Sequence, residues 1–262
     1  MDRINTARQG FLEKNIAKTE ISHTRNAIKD QFKNSHEHLT NYVLPQIILG
    51  GQDGLVNVLG VILGIAAATS STEIVIAAGF AATFAESVSM AAVAYTSKLA
   101  EADYYKSEYE REKWEIDHYP QGEKEEVRQL YQSYGFSGRI LNQIVEKIVK
   151  SKSIWLKVMM EQELKLAPIK RSDAVPAAFI VGTSSFIGSL IPLFPFLFLN
   201  LRSAILFSLI ISAVTLFSVG FYKAKVTTNS RLIKNGLEIL IIGMLSAFIG
   251  YLIGSLFKVN LP

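Results

Sequence analysis

Cysteine is absent from this sequence, which excludes disulfides and thiolate metal sites and leaves the redox compartment unreadable from thiols. The first 42 residues lack the apolar core and the cleavage-like site of a signal peptide, so the first apolar run is expected to stay in place as an uncleaved anchor. The net charge of +4 over 262 residues is small. On a chain this apolar it reflects basic flanks near lipid headgroups, and it gives no reason to expect nucleic acid as a partner. Ferritin-like di-iron helices carry two Glu-x-x-His motifs, a set that is missing between residues 98 and 172, which argues against an oxidase or other membrane enzyme acting on metal or oxygen, and no enzyme is expected.

What is present is apolar residues gathered into long runs. Hydrophobic residues make up 49% of the chain. Five runs, roughly 44–68, 74–97, 174–199, 203–222 and 236–257, each approach the ~20 residues needed to cross a bilayer. The third and fourth are separated only by a few residues around Asn200 and Arg202, which predicts a tight hairpin. The fold class expected is therefore an all-α membrane protein: five transmembrane helices, with a small helical domain inserted between the second and third. The boundaries read as an N-terminal arm (1–42, helical in its second half), helices one and two (43–97), the insert (98–172) and helices three to five (173–262). Lys and Arg concentrate in the arm, in the insert and at Lys223, Lys225, Arg231 and Lys234. The positive-inside rule then places the N-terminus and insert in the cytoplasm and the C-terminus on the opposite side. An odd number of spans argues against an inverted repeat within one chain, and a homodimer is the expected source of symmetry.

Inside the insert, no Pro or Gly interrupts the chain between Ser97 and Tyr119, so the second span is expected to run on as one helix until Pro120 and Gly122. Further helices are expected over 123–134, stopped by Gly135, from Ser137 to about Lys150, and from a Ser153 cap to Leu166. The small-residue pairs Gly50 and Gly54, Gly60 and Gly64, and Gly250 and Gly254 predict close helix packing, with a dimer seam as one place for it.

Chemistry-bearing residues fall into two groups. Asp53 lies within the first apolar run and Glu86 within the second, and an ionisable residue in a membrane helix is a functional-site hypothesis by default. Glu86 and Met90 are four apart and share a helix face. At ~1.5 Å of rise per residue, Asp53, Glu86 and Met90 reach similar depths, ~14, ~16 and ~10 Å from one side. Two carboxylates and a thioether suit a divalent transition metal, although Met90 by itself equally suits packing. The second group lies in the insert, where more than half of the chain's 23 acidic residues fall between Glu101 and Glu163. Glu101, Glu108, Glu112 and Glu115 follow a 7, 4, 3 spacing along one helix face. Glu123 and Glu126 are three apart, and Met159 and Glu163 four apart. Three helices so patterned can point carboxylates and thioethers into one space. The same pattern also fits a solvated charged face, because Lys106, Arg111, Lys113, Lys124 and Arg128 are interleaved at pairing distance. His36 and His38 point in different directions on a helix and fit a surface role, and His118 lies near the acids.

GGQDGL, FAESVSMAAVAY, EADYY, EREKWEI, Pro120 with EKEE, YGF and WLKVMMEQELKL, in this order, resemble the vacuolar iron transporter family over about residues 42–260. The resemblance implies a five-span homodimer with a cytoplasmic helical metal-binding domain, exporting Fe²⁺ and often Mn²⁺ from the cytoplasm in exchange for protons. It implies no prosthetic group; Zn²⁺ and Co²⁺ are further candidates at the soluble domain. The membrane is a plasma membrane in a prokaryote and a vacuole-like one in a eukaryote. The family's membrane ligands fall on Asp53 and Met90, and its soluble-domain ligands on Glu112, Glu115, Glu123, Glu126, Met159 and Glu163. Two positions depart from the pattern: Ala82 stands where better-known members have a second-span glutamate, with Glu86 one turn later, and Met160 stands at a soluble-domain glutamate position beside Glu161. The rival reading is a membrane-anchored metal sensor or buffer that binds metal without moving it.

Overall fold

The structure is a computed structural model describing residues 3–27, 39–227 and 231–257. The chain divides into two compact units, Met1–Pro45 and Gln46–Pro262. In the first, α1 (Arg3–Leu12) and α2 (Ile16–Ser22) pack where Gly10 meets Thr19, and the Asn15 side chain caps α2 by accepting from the Lys18 amide at 3.2 Å. The arm is thus helical in its first half. The second half, expected to be helical, falls largely on residues 28–38, outside the described residues, together with His36 and His38.

The long elements that follow are α3 (Leu39–Ala68) and α4 (Thr72–His118). The short helices α5 (Pro120–Ser133), α6 (Gly138–Val149) and α7 (Lys152–Val158) come next, and a π-helical turn at Met159–Glu163 continues α7. Then come α8 (Ala174–Leu193), α9 (Leu201–Thr227) and α10 (Leu232–Leu256). Among the described residues there is no strand, and α3, α4, α8, α9 and α10 each contain a stretch long and apolar enough to cross a membrane. Their outward side chains are apolar: Ile241, Ile242, Leu245, Phe248, Ile249, Leu252 and Ile253 of α10 are all exposed. Such a surface is costly in water and suited to lipid, so the molecule is a multi-pass membrane protein.

Helix α4 runs unbroken for 47 residues, and Ser71 caps its start by accepting from the Ile74 amide at 3.3 Å. The break comes at Tyr119, and Pro120 then occupies the first position of α5, where its missing amide hydrogen costs nothing. Gly135, with φ of +91°, takes the left-handed conformation that ends α5. The α8–α9 turn falls at Asn200, whose side chain accepts from the Ser203 amide at 3.1 Å. One expected cap is corrected: Ser151, not Ser153, starts α7, and its carbonyl accepts from the Trp155 amide at 2.9 Å.

Helix α4 packs chiefly on α8, and α9 on α10. The paired glycines make their close approaches within one chain, where a dimer seam was the alternative expected. Gly50 and Gly54 lie against Ser184, Ser185 and Ser189 of α8, and Gly60 and Gly64 against the Gly250 and Gly254 turns of α10. A β-carbon at Gly54 would come within 2.6 Å of the Ser189 hydroxyl, so only glycine lets α3 approach α8 this closely. A first apolar core is built from Val58, Leu59, Ile62, Val75, Leu193 and Phe196. A second, formed by Ile116, Val127, Leu141, Val145, Trp155, Leu156, Met159 and Met160, joins the far half of α4 to the short helices.

Candidate functional site

Between α3 and α4, the carboxyl groups of Asp53 and Glu86 are close enough to interact. Two carboxyls this close in an apolar setting favour a proton on one of them, and a divalent cation between them would remove that need. Asn57, one turn after Asp53 on the same face of α3, donates its Nδ2 amide to Glu86 Oε1 at 3.0 Å. Sequence reasoning missed Asn57. The signal was available in its four-residue spacing from Asp53. Met90 is half-buried one turn beyond Glu86 on the same face of α4, and Ala82 lies one turn before Glu86, packed at the edge of the first apolar core.

The second group of acids is sorted by the fold into two sets. One set faces outward and pairs with bases: Glu110 with Lys106 at 3.7 Å, Glu125 with Arg128 at 3.2 Å and Glu146 with Lys124 at 2.5 Å. The first two are solvated pairs within a helix, as the interleaved charges predicted, and the third joins α5 to α6. The other set converges. Glu112, Glu115 and Glu123 each offer one carboxylate oxygen, all within 4.8 Å of one another. Oxygens bound to opposite sides of one divalent ion lie about 4–5 Å apart, given bonds of ~2.0–2.6 Å, so this spread fits a single ion.

Burial makes the convergence informative. Glu112 is 1% and Glu123 4% exposed. One oxygen each of Glu112, Glu123 and Glu163 is buried with no hydrogen-bond donor among the described residues. A buried oxygen left without a partner costs about 1–3 kcal/mol, so three together cost on the order of several kcal/mol. That exceeds the ~1.5–3 kcal/mol gained by burying an aliphatic neighbour such as Val127, so the arrangement is no device for stability.

Burial pushes the Glu123 carboxyl up to about 8, helped by the charges of Glu112 and Glu126. Glu163 is also raised, first by burial and then by Glu112 and Glu126. Glu126 itself is exposed but close enough for its charge to be felt by both. Met159 is fully buried, in the apolar core that it shares with Ile116 of α4 and Val127 of α5.

The π-helical turn decides what else faces this space. The Leu164 amide donates to the Met159 carbonyl at 3.0 Å and the Leu166 amide to the Met160 carbonyl at 2.8 Å, so the turn is wider than an α-helix. Met160 is thereby buried beside Met159, while Glu161 is exposed and lies 3.8 Å from Lys157. His118 stacks on Trp114 with ring centroids 4.4 Å apart, and its Nδ1 lies 2.8 Å from the Trp114 carbonyl. That engages the ring face and Nδ1, and Glu115 and His118 have the spacing of one Glu-x-x-His.

A family model described as the VIT family matches residues 44–255. The vacuolar iron transporter 1 of Eucalyptus grandis is 31% identical over 219 residues, covering 83% of this chain and 87% of that protein. The vacuolar iron transporter of Plasmodium berghei (strain Anka) is 29% identical over 268 residues, covering 98% and 97%. The vacuolar iron transporter 1 of Arabidopsis thaliana is 28% identical over 236 residues, covering 90% and 94%. With the matched region taking in all five apolar helices and both groups of acids, the chain belongs to the VIT family.

Proposed function

We propose that this protein moves divalent metal, Fe²⁺ or Mn²⁺ or both, out of the cytoplasm through the membrane in exchange for protons. The observation that carries the reading is the closeness of Asp53 and Glu86, two carboxyls that interact inside apolar helices. In that setting the pair needs a proton or a cation, and exchanging one for the other is the elementary step of an antiporter. Oxygen ligands suit Fe²⁺ and Mn²⁺, and the Met90 thioether adds preference for the softer ion. The names of the relatives, vacuolar iron transporters, support iron as cargo.

In this reading Glu112, Glu115, Glu123, Glu126, Met159 and Glu163 collect metal at the cytoplasmic face, where basic flanks favour placing the insert. The same reading takes the protein as a homodimer. Asn57 is exposed and Glu86 half-exposed in the single chain, beside the exposed apolar residues Phe84 and Val88 of α4. Polar groups of this kind on a lipid-facing surface are costly, and a second copy would cover them.

Purified protein in liposomes tests the proposal by following Fe²⁺ and Mn²⁺ entry together with internal pH. Metal entry with proton exit is expected. Metal held by the protein without entering the lumen would overturn the transporter in favour of a buffer or sensor. The Asn57 contact adds a sharper expectation. Asn57→Ala leaves Glu86 unheld and should lower the initial metal flux about tenfold, the range in which groups supporting a metal ligand act. Initial rates in the same liposomes measure it, and an unchanged rate would remove Asn57 from the site.

A further inference from the structure

We propose that Arg111 is a positioning residue of the carboxylate cluster: its guanidinium holds Glu112 and Glu115 by their outer oxygens, so that the inner Glu112 oxygen stays aimed at the ion. The inference rests on the reading of that cluster as a metal site.

The geometry is unusual for a surface arginine. Arg111 bonds Glu108 twice, from Nε at 3.0 Å and from one terminal nitrogen at 2.8 Å. Its other terminal nitrogen pairs with Glu115. Pairing with Glu108 and Glu115, three before and four after, is ordinary for a helix face. Its contact with Glu112 at 2.6 Å is not, because adjacent helical residues do not face each other. One planar fork thus ties three acids of α4 together, and two of them belong to the converging set. Arg111 takes only Oε1 of Glu112. Oε2 of the same carboxylate, on a side chain 99% buried, meets no donor among the described residues, and the Glu112 carboxylate lies within reach of those of Glu115 and Glu123.

Carboxylate rotation is the freedom that Arg111 removes. A free glutamate turns about its last torsion at little cost, and each turn would carry the inner oxygen away from an ion. A guanidinium ion-paired with the outer oxygen restrains that torsion, as outer-shell groups do for metal ligands elsewhere. The fork is what matters, since a lysine ammonium in the same place is a point charge with no fixed plane. Arg111 is 43% exposed, so its pairs contribute little to stability, and its effect is expected on metal binding and not on folding.

The test is Mn²⁺ binding to the full-length protein in detergent. Calorimetry gives the affinity and electron paramagnetic resonance the symmetry of the bound ion, for wild type, Arg111→Lys, Arg111→Gln and the double variant Glu112→Gln with Glu123→Gln. Both Arg111 variants are expected to bind about tenfold more weakly, with an altered resonance line shape and an unchanged metal-free unfolding temperature. Wild-type affinity in Arg111→Lys would overturn the proposal, because charge alone would then suffice. Tighter binding in Arg111→Gln would also overturn it and make Arg111 a competitor of the metal. If Arg111→Gln fails to fold, Arg111→Lys, which keeps the charge, decides. The double variant separates this failure from that of the underlying reading: unchanged Mn²⁺ binding there would remove the metal site itself.

Discussion

Replacing Asp53 with asparagine should abolish metal transport, lowering flux on the order of 100-fold or more while leaving Mn²⁺ binding by the distant carboxylate cluster intact. The residue change is nearly isosteric, so the close packing of α3 on α8 at Gly50 and Gly54 is preserved. What is lost is one of two interacting carboxyls. Glu86 would remain, held by Asn57, but a single carboxylate with a thioether offers an ion half the charge. Loss of groups that merely support metal ligands costs 10–100-fold in affinity, and loss of a ligand carboxylate should cost at least as much. The reading also demands that proton exit disappear together with metal entry, since the same carboxyl carries both. Reconstituted vesicles report the two signals side by side. Wild-type flux in Asp53→Asn would take Asp53 off the path, and metal flux without proton exit would separate transport from exchange.

The second large effect is a pH dependence set by Glu123. Its carboxyl, raised from 4.5 to about 8 by burial and by the charges of Glu112 and Glu126, is mostly protonated at neutral pH in the metal-free protein. Metal must displace that proton. Mn²⁺ affinity should therefore rise about tenfold per pH unit between pH 6 and 8 and level off above, a ~100-fold change over the window.

The sign for stability is the opposite. The folded state binds a proton that the unfolded chain has released above 4.5, so the contribution is fully present below pH 4.5 and is lost as pH rises through about 8. Metal-free protein should lose thermal stability across that interval, and Mn²⁺ should restore more of it at pH 8 than at pH 6. Glu123→Gln should flatten both curves and weaken binding. Calorimetry and thermal unfolding at a series of pH values check this. A pH-independent Mn²⁺ affinity would show that no buried proton is displaced.

These expectations draw on parts of the chain that differ in how openly the sequence displays them. The five apolar helices were legible because hydropathy is a local property and the runs are long. The unbroken α4 was legible for a negative reason, the lack of Pro or Gly between Ser97 and Tyr119. The cap of α7 was misplaced because Ser151 and Ser153 both have the right chemistry, and only the hydrogen bond from the Trp155 amide distinguishes them.

The converging carboxylates sat between two readings, and the fold used both. Glu110, Glu125 and Glu146 pair outward with bases, while Glu112, Glu115 and Glu123 meet inside. Spacing along one helix does not say which acids a second helix will face. The turn at Met159–Glu163 was illegible for a related reason. Its wider hydrogen bonding leaves no mark on composition, yet it buries Met160 and leaves Glu161 in solvent.

The continuity of α4 fixes how long the segment between its two groups of acids is allowed to be. Glu86 and Glu112 are 26 residues apart on one helix, about 39 Å at 1.5 Å per residue, with no Gly or Pro between them. Adding one residue anywhere in that stretch turns the far acids by about 100° relative to the near ones. Adding seven turns them by only about 20°. Length here is therefore quantised: insertions and deletions are compatible with both sites in heptads and incompatible in single steps. The helix behaves as a shaft whose two ends must keep a common phase.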